Sequence, residues 1–397
     1  MNFAARQTLV ELGARWAEAA LSPAVYDARI DAPDASDASL TFVKHQALMR
    51  AYQARYVLLP SDPPPTGVLA LLNRHYGADR LSNLAQLRWD LEAELIAPLV
   101  GAPGGDVAAY TDAMLAEIDA QPTNAFVAFL EQADHRDDHY RNFLVQSAPD
   151  LLAEASASAL GVVGEFGEPQ SALFRILIDE FGYGSYPRKH SVLYRAAMRS
   201  FGLIDEYNSY WPLFDTSALR THNVIHYLFQ NPAHIFRQIG FLLFAEAAYQ
   251  RSTAAHFRYL REFHPTADAR YFGEHAHIDL HHSRMIIDEV VAPLVAKFGQ
   301  DVGGEIIIGA ELTKHAFHAA GEHVLGVSQA FAAAGPVSYG LPDDVRRAVG
   351  RTVTPSSDLC GLGGPVLIGA IGTLADPAMI ADFPPDTVGR LLSTETG

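Results

Sequence analysis

The chain has a single cysteine, Cys360, in 397 residues. One thiol excludes an intramolecular disulfide and every cysteine-rich zinc or iron-sulfur site, which suits a reducing compartment; Cys360 itself reads as a small packed side chain. Basic residues are also scarce, with 29 Lys and Arg against 46 Asp and Glu and a net charge of −17. A chain so acidic is expected to have no nucleic-acid partner. Long apolar runs are missing too. Pro365 to Leu374, the best of them, is short and broken by glycine, and the first dozen residues mix acid and polar side chains where a secretory core would be unbroken. The expectation is a soluble, cytoplasmic protein with no membrane partner. There is no glycine-rich phosphate loop followed by lysine, no Gly-x-Ser-x-Gly elbow and no His-Glu-x-x-His motif. Nucleotide binding, a serine nucleophile of that type and the common zinc-hydrolase site are thereby set aside.

Hydrophobic residues, by contrast, make up 49% of the chain, enough for a large core. Helical periodicity recurs near residues 4–20, 39–56, 82–100, 107–119, 123–145 and 301–334, interrupted by turns such as Pro60-Ser-Asp-Pro-Pro-Pro65. From Gly335 onward the sequence turns to Gly, Pro, Ser and Thr. Three regions follow: an N-terminal helical layer over 1–80, a helical bundle over 81–335 and an irregular extension over 336–397.

The most informative segment is Gly273-Glu-His-Ala-His-Ile-Asp-Leu-His-His-Ser-Arg284, where His275, Asp279 and His282 fall at i, i+4 and i+7. On a helix these three lie within a sector of roughly 60°. Tyr271, Phe272, Ile286 and Val290 share that face, so it turns toward the core. Buried His and Asp are costly unless paired or ligating, and a metal ion removes the cost. His277 and His281, with Glu274, form a decoy at similar spacing, but they share a face with Arg284 and Asp288, the solvated side of an amphipathic helix.

Two further acids sit on apolar stripes. Glu180 aligns with Leu173, Ile176 and Leu177, whereas the adjacent Asp179 points elsewhere and reads as a surface acid. Glu246 ends a run whose face carries Ile235, Ile239, Leu242 and Leu243; a buried salt bridge is its structural alternative. His190, just after Pro187 opens a new helix, shares a face with Leu193, Tyr194 and Ala197, and on local grounds such a histidine is more often a satisfied core residue than a ligand. Glu154 lies in an ordinary helix of small residues. Glu311, His315, His318 and Glu322 share one helical face too, in mixed surroundings that favour a solvent role. Tyr183, Tyr186 and Tyr271 stand near the candidate acids and histidines and are expected to border a cavity.

Glu154, the segment QSALFRILIDEFGYG with Glu180, the segment RKHSVLYRAAM with His190, and the His-x3-Asp-x2-His segment, taken in order, resemble the haem-oxygenase-like diiron oxidase and oxygenase family, in its N-oxygenase-like branch. The resemblance covers roughly residues 80–335. It implies an all-α, haem-oxygenase-like helical bundle without haem, and a metal-ligand set of Glu154, Glu180, His190, Glu246, His275, Asp279 and His282 for two Fe ions. It further implies O2 as co-substrate, an external electron donor, a small-molecule amine substrate, a peroxo-diferric intermediate and a homodimer. Oxidative C–C fragmentation or desaturation is the nearest chemical alternative, and iron binding without catalysis the alternative of another class.

Overall fold

The computed structural model describes residues 37–59, 67–102, 104–121, 124–210 and 213–334. The expected helix at 4–20, the turn at 60–65, the extension 336–397 and Cys360 lie outside, or largely outside, these residues. Among the described residues every regular element is helical. In chain order they are α1 (Asp37–Gln53), α2 (Val68–Tyr76), α3 (Ala78–Leu95), α4 (Val107–Ala120), α5 (Ala125–Leu130), α6 (Arg136–Leu151) and α7 (Glu154–Gly161). There follow α8 (Glu168–Glu180), α9 (His190–Ser200), α10 (Thr216–Phe229), α11 (Ile235–Phe263), α12 (Arg270–Met285), α13 (Ala292–Phe298) and α14 (Gln300–Ala334). A π-helical stretch, Ile286–Val291, joins α12 to α13.

Local chemistry sets the helix starts. The side chains of Asp106, Asn124 and Asp215 accept hydrogen bonds from the backbone N–H groups of Ala109, Val127 and Ala218, capping α4, α5 and α10. The stretch expected as one helix over 123–145 is instead two, α5 and α6, because His135 adopts the left-handed conformation (φ 54°) and breaks the path. Pro187 does not open a helix either. It sits in a 3-10 turn, Tyr186–Arg188, and α9 begins at His190 itself. The preceding turn needs Gly182 (φ 62°), where a Cβ would press on the backbone of Arg188 and Lys189.

Helix α11 is the axis of the bundle and packs along both α14 and α12. Its approach to α14 is so close that a methyl group at Gly240 would overlap the Ile306 carbonyl, and one at Gly309 would overlap that of Arg237. Two apolar clusters flank the middle of the molecule. One joins Tyr140 and Leu144 of α6, Tyr194 of α9, and Tyr271 and Phe272 of α12. The other joins Leu173 and Ile176 of α8, Leu242 and Leu243 of α11, and Ile286 and Val290 of the π stretch. Along α12, His275, Asp279 and His282 fall between these clusters. Helix α1 closes one side through Asn223 Nδ2 to the His45 carbonyl (2.9 Å) and Gln230 Nε2 to the Tyr52 carbonyl (3.0 Å).

Because the α11 and α14 backbones touch at glycine, Gly240→Ala is expected to lower stability by about 1–3 kcal/mol, in the range of core overpacking. Thermal unfolding of the variant checks this, and an unchanged midpoint would contradict the close packing.

Candidate metal centre

Five elements deliver the ionisable groups. Glu154 is the first residue of α7, Glu180 the last of α8 and His190 the first of α9, while Glu246 lies in mid-α11 and His275, Asp279 and His282 on α12. Glu180, His190, His275, Asp279 and His282 are buried, and Glu154 and Glu246 nearly so. The opposite face of α12 leaves His277 and His281 exposed, 5.8 Å apart between rings.

The seven residues converge. Glu154, Glu180, His190 and His275 form one group and Glu180, Asp279 and His282 a second, each able to place one donor atom per residue within 4.8 Å of all the others. Glu180 belongs to both. Glu246 stands beside the second group, its Oε2 3.2 Å from His282 Nδ1.

The orientation of these atoms bears on what they could hold. Glu154 Oε1, Glu180 Oε2, His190 Nδ1 and His275 Nε2 are all buried without a hydrogen-bond partner. His190 Nδ1 is only 2.7 Å from Glu180 Oε2, yet the two are not aligned for a hydrogen bond. Unpaired buried polar atoms cost on the order of 1–3 kcal/mol each. Four of them aimed into one space fit a metal ion, whose nitrogen and oxygen ligands here suit iron.

Atoms facing away from that space are, by contrast, satisfied. Tyr271 donates its hydroxyl hydrogen to Glu154 Oε2 at 2.9 Å. His275 Nδ1 is 3.1 Å from Asp279 Oδ1, which leaves Nε2 free. His282 Nε2 is 3.1 Å from Asp179 Oδ2, leaving Nδ1 toward Glu246 and Asp279. A carboxylate on the outer nitrogen of a histidine fixes its tautomer and raises its basicity as a ligand.

Asp179 corrects the expectation of a surface acid. Its side chain is only 15% exposed because the π-helical continuation of α12 packs across α8 and brings His282 to it. Tyr183 and Tyr186 are 60% and 71% exposed and line no cavity with the site. Glu311, His315, His318 and Glu322 are solvent-facing.

Electrostatics in the metal-free cluster follow from crowding. Burial would raise Glu180, but the charge of His190, helped by His275 and His282, brings it down to about 2. Burial pushes Asp279 up to about 7 against the pull of His275. Burial would lower His282, yet Glu246, Glu180 and Asp179 lift it to about 10. His275 is likewise held well above the usual imidazole range, burial being outweighed by Asp279 and Glu154.

Residues 141–316, which contain all seven residues and Asp179, match the family model described as iron-containing redox enzyme. Over 204 residues the chain is 38% identical to nitrosourea synthase of Streptomyces achromogenes subsp. streptozoticus, an alignment that covers 51% of this chain and 43% of that protein. The match thus spans less than half of the relative's length.

Two outcomes follow. His275 and His282 are held above the usual imidazole range without metal and must lose a proton to ligate, so metal affinity should rise with pH up to about 10; an affinity that does not change with pH below that value would contradict the assignment. Asp179→Asn should weaken metal binding about 10- to 100-fold in equilibrium dialysis, and unaltered affinity would leave Asp179 without a role at His282.

Proposed function

We propose, from the match of residues 141–316 to the family model described as iron-containing redox enzyme, that the chain is a non-haem diiron oxygenase that adds oxygen to the nitrogen of a small-molecule amine. The observation that carries the reading is the pair of buried donor groups sharing Glu180, with four donor atoms left unpaired. Glu154, His190 and His275 would hold one iron, Asp279, His282 and Glu246 the other, and Glu180 would bridge them. Four carboxylates balance two ferrous ions, leaving a neutral centre in an apolar surround.

When bound, the irons supply the reduction of O2 with electrons from a donor outside the chain. The chain supplies the rest. Leu173, Ile176, Leu177 and Leu242 line the adjacent cavity and limit access of water. Asp279 and Asp179 keep His275 and His282 in one tautomer and orientation. The Tyr271 hydroxyl, bonded to Glu154 Oε2, turns Oε1 inward. The overall step balances as an amine, O2, two protons and two electrons giving a hydroxylamine and water. The similarity to a protein named for nitrosourea synthesis supports nitrogen as the atom oxidised.

With iron reconstituted anaerobically, a reductant and 18O2, amines are expected to yield products carrying one labelled oxygen on nitrogen, detected by mass spectrometry. Chain-shortened or desaturated products without N-bound label would favour oxidative fragmentation instead.

A further inference from the structure

The cavity beside the metal ligands continues past them. Its walls bear Glu154, Glu180, Glu246, His275 and Asp279, but also Asp150, His226 and Gln238, which take no part in the metal groups. The free space is about 100 Å³, which suits a slender substrate rather than a large one.

Asp150 lies in the last turn of α6, and its Oδ1 is 2.7 Å from Nδ1 of the fully buried His222 on α10. Burial disfavours the charged form of the His222 imidazole. No lysine or arginine is among the described residues that line the cavity. Tyr56, Tyr194, Tyr207 and Tyr249 surround the carboxylate closely enough to feel its charge, and none of them is a cation. Two irons would compensate the acids of the metal groups, whereas among the described residues Asp150 is paired with His222 and with no Lys or Arg. A buried carboxylate in that position is costly and pushed well above its usual range.

A second polar group in the wall is unmatched as well. The Gln238 side chain is 2% exposed, and its Nε2 has no hydrogen-bond partner. An apolar cavity with a few unsatisfied polar groups is the usual form of a small-molecule site, and the polar groups set the substrate's orientation.

We propose that Asp150 anchors a positively charged nitrogen of the substrate, which therefore carries two nitrogens, one held at Asp150 and one presented to the metal ligands. This rests on the amine-oxidation reading and adds its regiochemistry. A protonated nitrogen at Asp150 has no free lone pair and is protected from oxidation. The unprotonated nitrogen at the other end of the cavity is the one that reacts. A charge-assisted hydrogen bond to the carboxylate fixes which is which.

Binding is read by calorimetry on the iron-loaded protein kept free of oxygen, with α,ω-diamines from propane to octane, the matched monoamines and the matched ω-amino acids. At one or more chain lengths the diamine should bind at least about tenfold more tightly than the monoamine and the amino acid. Asp150→Asn should weaken diamine binding at least about tenfold with iron content unchanged. Equal binding of diamine and monoamine by the wild-type protein at every length overturns the proposal, and that comparison decides even if the variant does not fold. Diamine binding that is not weakened by Asp150→Asn overturns it too. If the preference depends on Asp150 but oxygen never brings label onto nitrogen, the anchor stands and the N-oxygenation reading fails. If N-labelled products form without any diamine preference, N-oxygenation stands and the anchor fails.

Discussion

The bundle is organised around a set of carboxylates and imidazoles that cannot be buried together without a counter-charge. Four acids and three histidines meet at the junction of α7, α8, α9, α11 and α12. Left alone, they distribute protons among themselves, which is why His282 is lifted to about 10 and Asp279 to about 7 while Glu180 is driven to about 2. Several donor atoms still find no partner in that arrangement. Proton sharing is thus a partial solution, and a bound metal would supply the missing counter-charge.

The surrounding architecture keeps those groups in register. Glycine contact between α11 and α14 fixes the axial position of Glu246, while the Gly182 turn sets the short return from Glu180 to His190. On α12 the histidines and Asp279 lie between aromatic packing around Tyr271 and aliphatic packing around Ile286 and Val290. The π-helical stretch after α12 packs on α8, so the segment that follows His282 also braces the helix carrying Asp179 and Glu180. Such a widened turn is a common companion of functional sites.

Much of this is legible from helical phase. The i, i+4, i+7 spacing puts His275, Asp279 and His282 on the apolar side of α12 and His277 and His281 on the wet side, and the structure places them so. Phase also puts Glu180 on the buried side of α8. The same logic misses Asp179. Neighbours on a helix point about 100° apart, and nothing local reveals that α12 crosses the end of α8 and reaches both acids. Glu154 and His190 each begin a helix, where periodicity has little to work on, so their place depends on family order. The break at His135 and the 3-10 turn at Pro187 escape a pattern reading because both are decided by backbone conformation. Asp150, His222 and Gln238 come from separate helices and carry no shared spacing; only their meeting in space marks them.

The central claim is that these residues hold two irons with Glu180 between them, and anomalous diffraction at the iron edge from iron-loaded crystals tests it most directly. Two peaks are predicted, one within coordination distance of Glu154, His190 and His275, the other of Asp279 and His282, with Glu180 reaching both. A single peak, or iron seated at His277 and His281, would contradict the account.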